Sequence, residues 1–225
     1  WSRGLGDVYK RQVVKVAAAV DACESVIRDA VACGANLLLV HHGLYWNGGV
    51  LTGAMYRKVR VAMEYGLAVY SSHLPLDMHP EVGNNMLLAK KLGLKNLEPF
   101  MVVKGQALGV RGETTLALHS LAKKLEKALG GAAHLCPGGI GAPSKVGIVT
   151  GGAGSEVARA KEEGVDTFIT GEGPHWSYTM AEEIGLNVFY GGHYATETFG
   201  VCALAEHLEK QFGLPWEFVD HPTGL

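Results

Sequence analysis

A chain of 225 residues with 48% hydrophobic and 19% charged residues is an ordinary globular protein, long enough for one large α/β domain or two small ones. A formal net charge of −2 leaves no global field to draw in nucleic acid or an anionic membrane. No apolar run reaches the roughly 18 residues of a membrane span, and Cys23, Cys33, Cys136 and Cys202 form no C-x-x-C pair, which argues against zinc ribbons and dithiol chemistry and for a reducing, cytoplasmic setting.

Residues 1–12 carry no apolar periodicity and no capping pattern, and they read as a non-native leader. From residue 13 the chain reads as an α/β fold built from two duplicated βαβ-containing lobes: a first repeat over 13–97, a connector over 98–143 and a second repeat over 144–225. Lys15, Val16, Gly34 and Trp46 recur 130 residues later as Lys145, Val146, Gly164 and Trp176, with no gap between. In each copy an apolar run (13–20; 146–150) predicts a buried strand. A helix follows, closed by Gly34 or Gly164 where a C-cap needs positive φ. The second strand lies at 37–40 or 167–170, and so short a strand–helix–strand path implies a right-handed crossover with parallel pairing. The echo then continues through helices at 55–65 and 178–184 and strands at 67–70 and 186–190. Each copy ends in a strand, a histidine (His73; His193) and, four residues on, a carboxylate (Asp77; Glu197). The connector is expected to hold short strands at 101–103 and 108–110 and a helix at 116–129. A last helix is expected over 196–212, with an edge strand at 216–219.

The candidate chemistry lies at or just past the C-terminal ends of the predicted parallel strands, the edge where open α/β sheets bind ligands. The adjacent His41 and His42 can serve one site if the strand ends there and bends at Gly43. Pro75 is expected to keep Leu74 extended on the way to Asp77. Thr196 reads as an N-cap, with Glu197 in the first turn of its helix. His73 corresponds to His193 and is a candidate ligand, ligand-orienting group or proton shuttle. His175 corresponds to Tyr45 and is a candidate substrate-binding or acid–base residue; His73 and His175 are therefore the candidate catalytic residues. Glu172, which corresponds to His42, is expected to face the same site. Trp46 and Trp176 are expected as core or cleft wall, and His79, His119, His134, His207 and His221 as surface. Gly151–Gly154 follows a strand and precedes a helix, so its N–H groups could receive a phosphate, but the signal is weak and a plain tight turn is the favoured reading.

The metal ligands expected from this mixture are His41, His42, Asp77, His193 and Glu197. Imidazole with carboxylate suits Zn, Mn, Fe, Co or Ni rather than Ca. Five protein ligands exceed what one catalytic zinc with an open position takes. They suit two divalent metal ions about 3.5–4 Å apart that activate a bridging water.

The stretches Leu38-Leu-Val-His-His-Gly-Leu-Tyr-Trp46, His73-Leu-Pro-Leu-Asp77 with Gly83-Asn-Asn85 behind it, and Gly191-Gly-His-Tyr-Ala-Thr-Glu197 resemble the NIF-three-like dinuclear metal-centre family, whose members are also called GTP cyclohydrolase 1 type 2 homologues. The resemblance runs from about residue 13 to the C-terminus. It implies two facing α/β lobes with both metals in the cleft between them, held by those same five residues. It also implies a homo-oligomer, in many members a toroidal hexamer. The expected function is a metal-dependent hydrolase acting on a small anionic or nucleotide-like substrate, with a non-catalytic metal-binding scaffold or regulator as the alternative. No P-loop is present, and binding to nucleic acid or membrane is not expected.

Overall fold

Unbroken apolar runs make sense only for strands covered on both faces, and the first of them behaves this way. Strand β1 (Val16–Asp21) has five of its six side chains buried. The computed structural model describes residues 12–46 and 48–225; apart from Gln12, the expected leader lies outside them. After β1 come α1 (Glu24–Ala32), β2 (Leu37–His42), α2 (Gly53–Glu64) and β3 (Ala68–Ser71). Gly34 has φ +81°, the left-handed turn predicted from its place in the repeat.

One compact unit comprises this segment up to His73 together with Val201–His221. Its sheet has the order β10-β1-β2-β3, where β10 is Trp216–Phe218, and every pairing is parallel. Val26, Ile27 and Ala30 of α1 and Val61 and Ala62 of α2 pack on Ala17, Ala19, Leu38 and Val40 of the sheet. The spacing of those helix residues is the apolar stripe expected of an amphipathic helix.

The second unit comprises Leu74–Gly200 and Pro222–Leu225. Its elements are α3 (Leu74–Asp77), α4 (Asn84–Leu92), β4 (Lys95–Val103), β5 (Gln106–Glu113), α5 (Leu118–Leu129), β6 (His134–Pro137), β7 (Lys145–Ile148), α6 (Val157–Glu162), β8 (Thr167–Thr170), α7 (His175–Glu183) and β9 (Asn187–Tyr190). Strands β7, β8 and β9 are parallel and repeat the plan of β1, β2 and β3, with Gly164 at φ +85° in the place of Gly34. The sheet extends on both sides by antiparallel strands, in the order β4-β5-β7-β8-β9-β6. Neighbours in a strand face opposite ways, so Phe168 and Val188 join one core with Phe100 and Val157, while Ile169 and Phe189 join another with Leu88, Leu121 and Leu125. The second sheet is thus covered on both faces. Helix α8 (His193–Phe212) starts in this unit, and its part from Val201 belongs to the first.

Several elements differ from expectation for identifiable reasons. Strands of the 98–143 segment pair into the second sheet, and β4 is longer than predicted. It is an edge strand with exposed polar residues and Pro99 in its middle, which an edge tolerates and a hydrophobicity pattern does not reveal. Lys104 and Gly105 join β4 to β5 with φ +49° and +79°, the two positive values that a tight hairpin turn takes. Leu74 is not extended: it opens the single turn of α3, where Pro75 costs little because a first-turn N–H has no intrahelical partner. Helix α8 begins at His193, three residues before Thr196. Among the described residues no helix is long and apolar enough to cross a membrane.

The fully buried Phe168 sits edge-on to Phe100, with ring centroids 6.2 Å apart. Phe168→Ala is expected to cost about 3–5 kcal/mol in chemical denaturation.

Candidate metal centre

Strand β2 runs through both His41 and His42 instead of ending before them, and both are buried, 0% and 6% exposed. Adjacent strand residues ordinarily diverge, yet these two rings lie with centroids 4.9 Å apart. The chain leaves the strand at Gly43, where a Cβ would stand 2.7 Å from Ser71 Oγ and 3.0 Å from Ser71 Cβ, so a larger residue would press on the end of β3. His73 follows β3, with its ring 4.7 Å from His41 and 5.4 Å from His42. One ligand nitrogen from each of the three imidazoles lies within 4.8 Å of the others. Trp46 lies against this group at 4.1 Å from His73 and 4.7 Å from His42. It is half exposed, a wall of the cluster and not part of the core, and Trp176 is also half exposed.

The orientation of His42 has a visible cause. Parallel register sets Asp21, the last residue of β1, beside His42, and Asp21 Oδ1 is 2.9 Å from His42 Nδ1. An ionised carboxylate only accepts hydrogen bonds, so Nδ1 carries the proton and Nε2 presents its lone pair. Asp21 drew no attention in the sequence, since its partner lies 21 residues away.

In the second unit, Asp77 ends α3 and is buried. The buried Asn84 donates from Nδ2 to Asp77 Oδ1 at 2.8 Å and accepts from the Gly200 N–H at 2.6 Å. Asn85 donates to the Asp77 and Leu108 carbonyls and accepts from the Thr150 N–H. Thr150 Oγ1 is 3.3 Å from Asp77 Oδ1. The Asn-Asn pair quoted as part of a motif thus holds Asp77 in place, a role that sequence spacing does not disclose.

The next residue, Gly151, has φ +70°, and a Cβ there would collide with the Glu197 carboxylate. Glycine therefore lets the end of β7 approach Glu197, which is 2% exposed. His193 and Glu197 lie four residues apart on α8, one above the other on its surface, with Nε2 to Oε1 at 3.2 Å. On the other side of the ring, Nδ1 is 2.8 Å from Glu172 Oε1. The hydrogen bond to Glu197, with Glu172 adding to it, outweighs burial and raises the His193 pKa to about 9. Thr196 is not an N-cap. It lies inside α8, donates back to the Gly192 and His193 carbonyls and accepts from the Gly151 N–H, and Glu197 accordingly lies beyond the first turn.

Three of the four N–H groups of Gly151–Gly154 are already engaged within the protein, which supports the tight turn over a phosphate site. The N–H groups of Gly151, Ala153 and Gly154 go to Thr196 Oγ1, Thr170 Oγ1 and the Glu172 carbonyl. His175 is the exposed first residue of α7 and lines a cavity with Glu172. His79 and His119 are at the surface, as expected.

The donor set fits a borderline divalent metal. In His42 and His193 a carboxylate on Nδ1 leaves Nε2 as the atom that would ligate. Nε2 of His193 and Oε1 of Glu197, which share a proton here, form a ready chelating pair for a metal in its place.

An α/β protein with parallel strands repeated in two units, each presenting imidazoles or carboxylates at its strand ends, belongs to the class of α/β proteins whose strand-end side chains could hold a metal ion. The Duf34/NIF3 (NGG1p interacting factor 3) family matches residues 5–223, and the chain belongs to this family. It is 41% identical over 217 residues to a protein of Deinococcus radiodurans named GTP cyclohydrolase 1 type 2 homolog, covering 95% of this chain and 82% of that one. Among solved structures it is similar to TTHA1606 from Thermus thermophilus (43% identity, TM-score 0.86, 96% of this chain and 86% of that one). It is also similar to reduced HcgD from Methanocaldococcus jannaschii (27% identity, TM-score 0.84, 94% and 85%).

Asp21→Ala removes the group that fixes His42 without removing a ligand. Metal affinity is expected to fall roughly 10- to 100-fold, read by competition with a chelating dye, with little change in the melting of the metal-free protein. Asn84→Ala leaves both Asp77 and the Gly200 N–H short of a partner. A loss of about 2–4 kcal/mol is expected in denaturation.

Proposed function

We propose that this protein is a dinuclear metal-dependent hydrolase acting on a small anionic, nucleotide-like substrate. His41 and His42 of the first unit and Asp77, His193 and Glu197 of the second hold two divalent ions drawn from Zn, Mn, Fe, Co or Ni. The observation that carries the reading is the imidazole cluster of the first unit, two of its three rings buried, whose ligand atoms converge within 4.8 Å. The His193–Glu197 pair of the second unit supports it.

Two such ions supply Lewis-acid polarisation of the substrate and an acidified water as nucleophile. The chain's own residues do the rest. Asp21 and Glu172 keep Nδ1 of His42 and His193 protonated, so that Nε2 is the ligating atom. His73, packed against His41 and His42, takes or returns a proton at the reacting centre. His175, exposed beside Glu172, serves substrate binding or acid–base transfer. Trp46 shields one side of the imidazole cluster from water. The printed names of the relatives, GTP cyclohydrolase 1 type 2 homolog, support a nucleotide-like substrate. The active form is a cytoplasmic homo-oligomer, a hexamer by resemblance to the family.

Elemental analysis of the purified protein is expected to find about two metal equivalents per chain, both lowered in His42→Ala and Glu197→Ala. A phosphoester and cyclic-amide hydrolysis screen with each metal is expected to show a rate that these variants lose. Two equivalents retained in both variants would overturn the ligand assignment. Metals bound with no rate above the variants would overturn the hydrolase and leave a metal-binding scaffold.

A further inference from the structure

A cavity of about 500 Å³ opens in the second unit beside Glu172, the carboxylate that holds His193. That volume lies in the range of small-molecule sites, roughly 300–1,000 Å³. Its lining comes from three separate elements: His134 on β6, His175, Ser177 and Tyr178 on α7, and Tyr190 on β9.

Two features of the lining select a ligand. The first is a set of aromatic faces. The His134 ring is 5.7 Å from Tyr178 and 6.4 Å from Tyr190, the latter in near-parallel arrangement. Three aromatic rings thus line one cavity, and stacking on aromatic side chains favours a planar ring.

The second feature is the sign of the polar groups. Ser177 Oγ lies 2.6 Å from the Pro174 carbonyl and 2.8 Å from Tyr190 Oη. A carbonyl only accepts, so the single hydroxyl proton of Ser177 goes to Pro174, and Tyr190 must donate its own proton to Ser177. Tyr190 Oη is left with lone pairs alone. Burial pushes the Tyr190 phenol pKa up, so it stays neutral in this role. Glu172 is likewise an acceptor. One oxygen takes the His193 proton, and with 46% of the side chain exposed the other stays open to a ligand. These two side chains therefore offer acceptors to a ligand. The backbone on either side of Glu172 is tightly packed: a Cβ at Gly171 would meet the His193 backbone and one at Gly173 would meet Ser177 and Tyr190.

We infer that this cavity is a subsite for a planar nitrogen heterocycle bearing amino or N–H donors along one edge, stacked on Tyr178 and Tyr190 with that edge on Glu172 and Tyr190 Oη. The inference rests on the hydrolase reading only for what the subsite delivers. Because Glu172 also bonds His193, a ring seated here is tethered beside the His193–Glu197 pair. The subsite thus names the substrate class: an amino-substituted heterocycle with the scissile part beyond it.

The test uses the purified full chain, with 2,6-diaminopurine as the donor-rich probe and unsubstituted purine as its control, read by calorimetry and ligand-observed NMR. The diamino compound is expected to bind at least about fivefold more tightly than purine. Tyr178→Leu, which keeps an apolar side chain but removes the π face, is expected to weaken binding at least fivefold. Tyr178→Phe should restore it, and Tyr190→Phe should erase the preference for the diamino compound. Metal content should be unchanged in all three variants. Equal affinity for the two probes, or affinity indifferent to Tyr178→Leu and Tyr190→Phe, would overturn the subsite, as would no binding by protein that carries its metals. Selective binding by a protein that holds no metal and hydrolyses nothing would overturn the hydrolase reading and leave the subsite standing.

Discussion

An imidazole has two nitrogens, and which one carries the proton decides what the other can do. Burying histidines at strand ends is therefore useful only if something fixes the tautomer. Both units meet this requirement with a carboxylate on Nδ1: Asp21 for His42 and Glu172 for His193. Much of the local architecture serves those two contacts. Parallel register brings the end of β1 level with the end of β2, so Asp21 meets His42. Gly171, just before Glu172, lets the end of β8 approach the start of α8, where a Cβ would stand 2.7 Å from His193 Cα.

The two repeats spend the same edge differently. The first places three imidazoles together beneath Trp46. The second places carboxylates, with Asp77 and Glu197 on either side of the Thr150–Gly151 turn that ends β7. A buried carboxylate needs donors, and the second unit supplies Asp77 with Asn84 and Thr150. The same turn spends three of its N–H groups on Thr196, Thr170 and the Glu172 carbonyl, as a structural hub does. The cavity lined by Tyr178 and Tyr190 opens beside Glu172, the carboxylate on His193.

The parallel βαβ plan was legible because it is local and repeated. Apolar runs, glycines at positive φ and the constant spacing of 130 residues all follow from short-range chemistry. Edge strands were less legible. β4 carries Pro99 and mostly exposed residues, so its length comes from its partner β5 and not from its own pattern. Helix starts were misplaced where a side chain with capping chemistry had other work. Thr196 carries the residue type of an N-cap, but its hydroxyl accepts the Gly151 N–H from another strand end. Leu74 precedes a proline, yet one helical turn forms there, which brings Asp77 to its asparagine.

The sequence by itself determined most of the secondary-structure plan, the duplication and the candidate ligand residue types, because strand-end position and donor chemistry are properties of short stretches of chain. Tertiary structure decided which atoms of those residues are presented. Asp21 and His42 are 21 residues apart, Asn85 and Thr150 are 65, and Asn84 and Gly200 are 116. No local pattern encodes such contacts. They arise only when register, glycine-permitted close approach and burial bring distant polar groups to positions where each must find a partner.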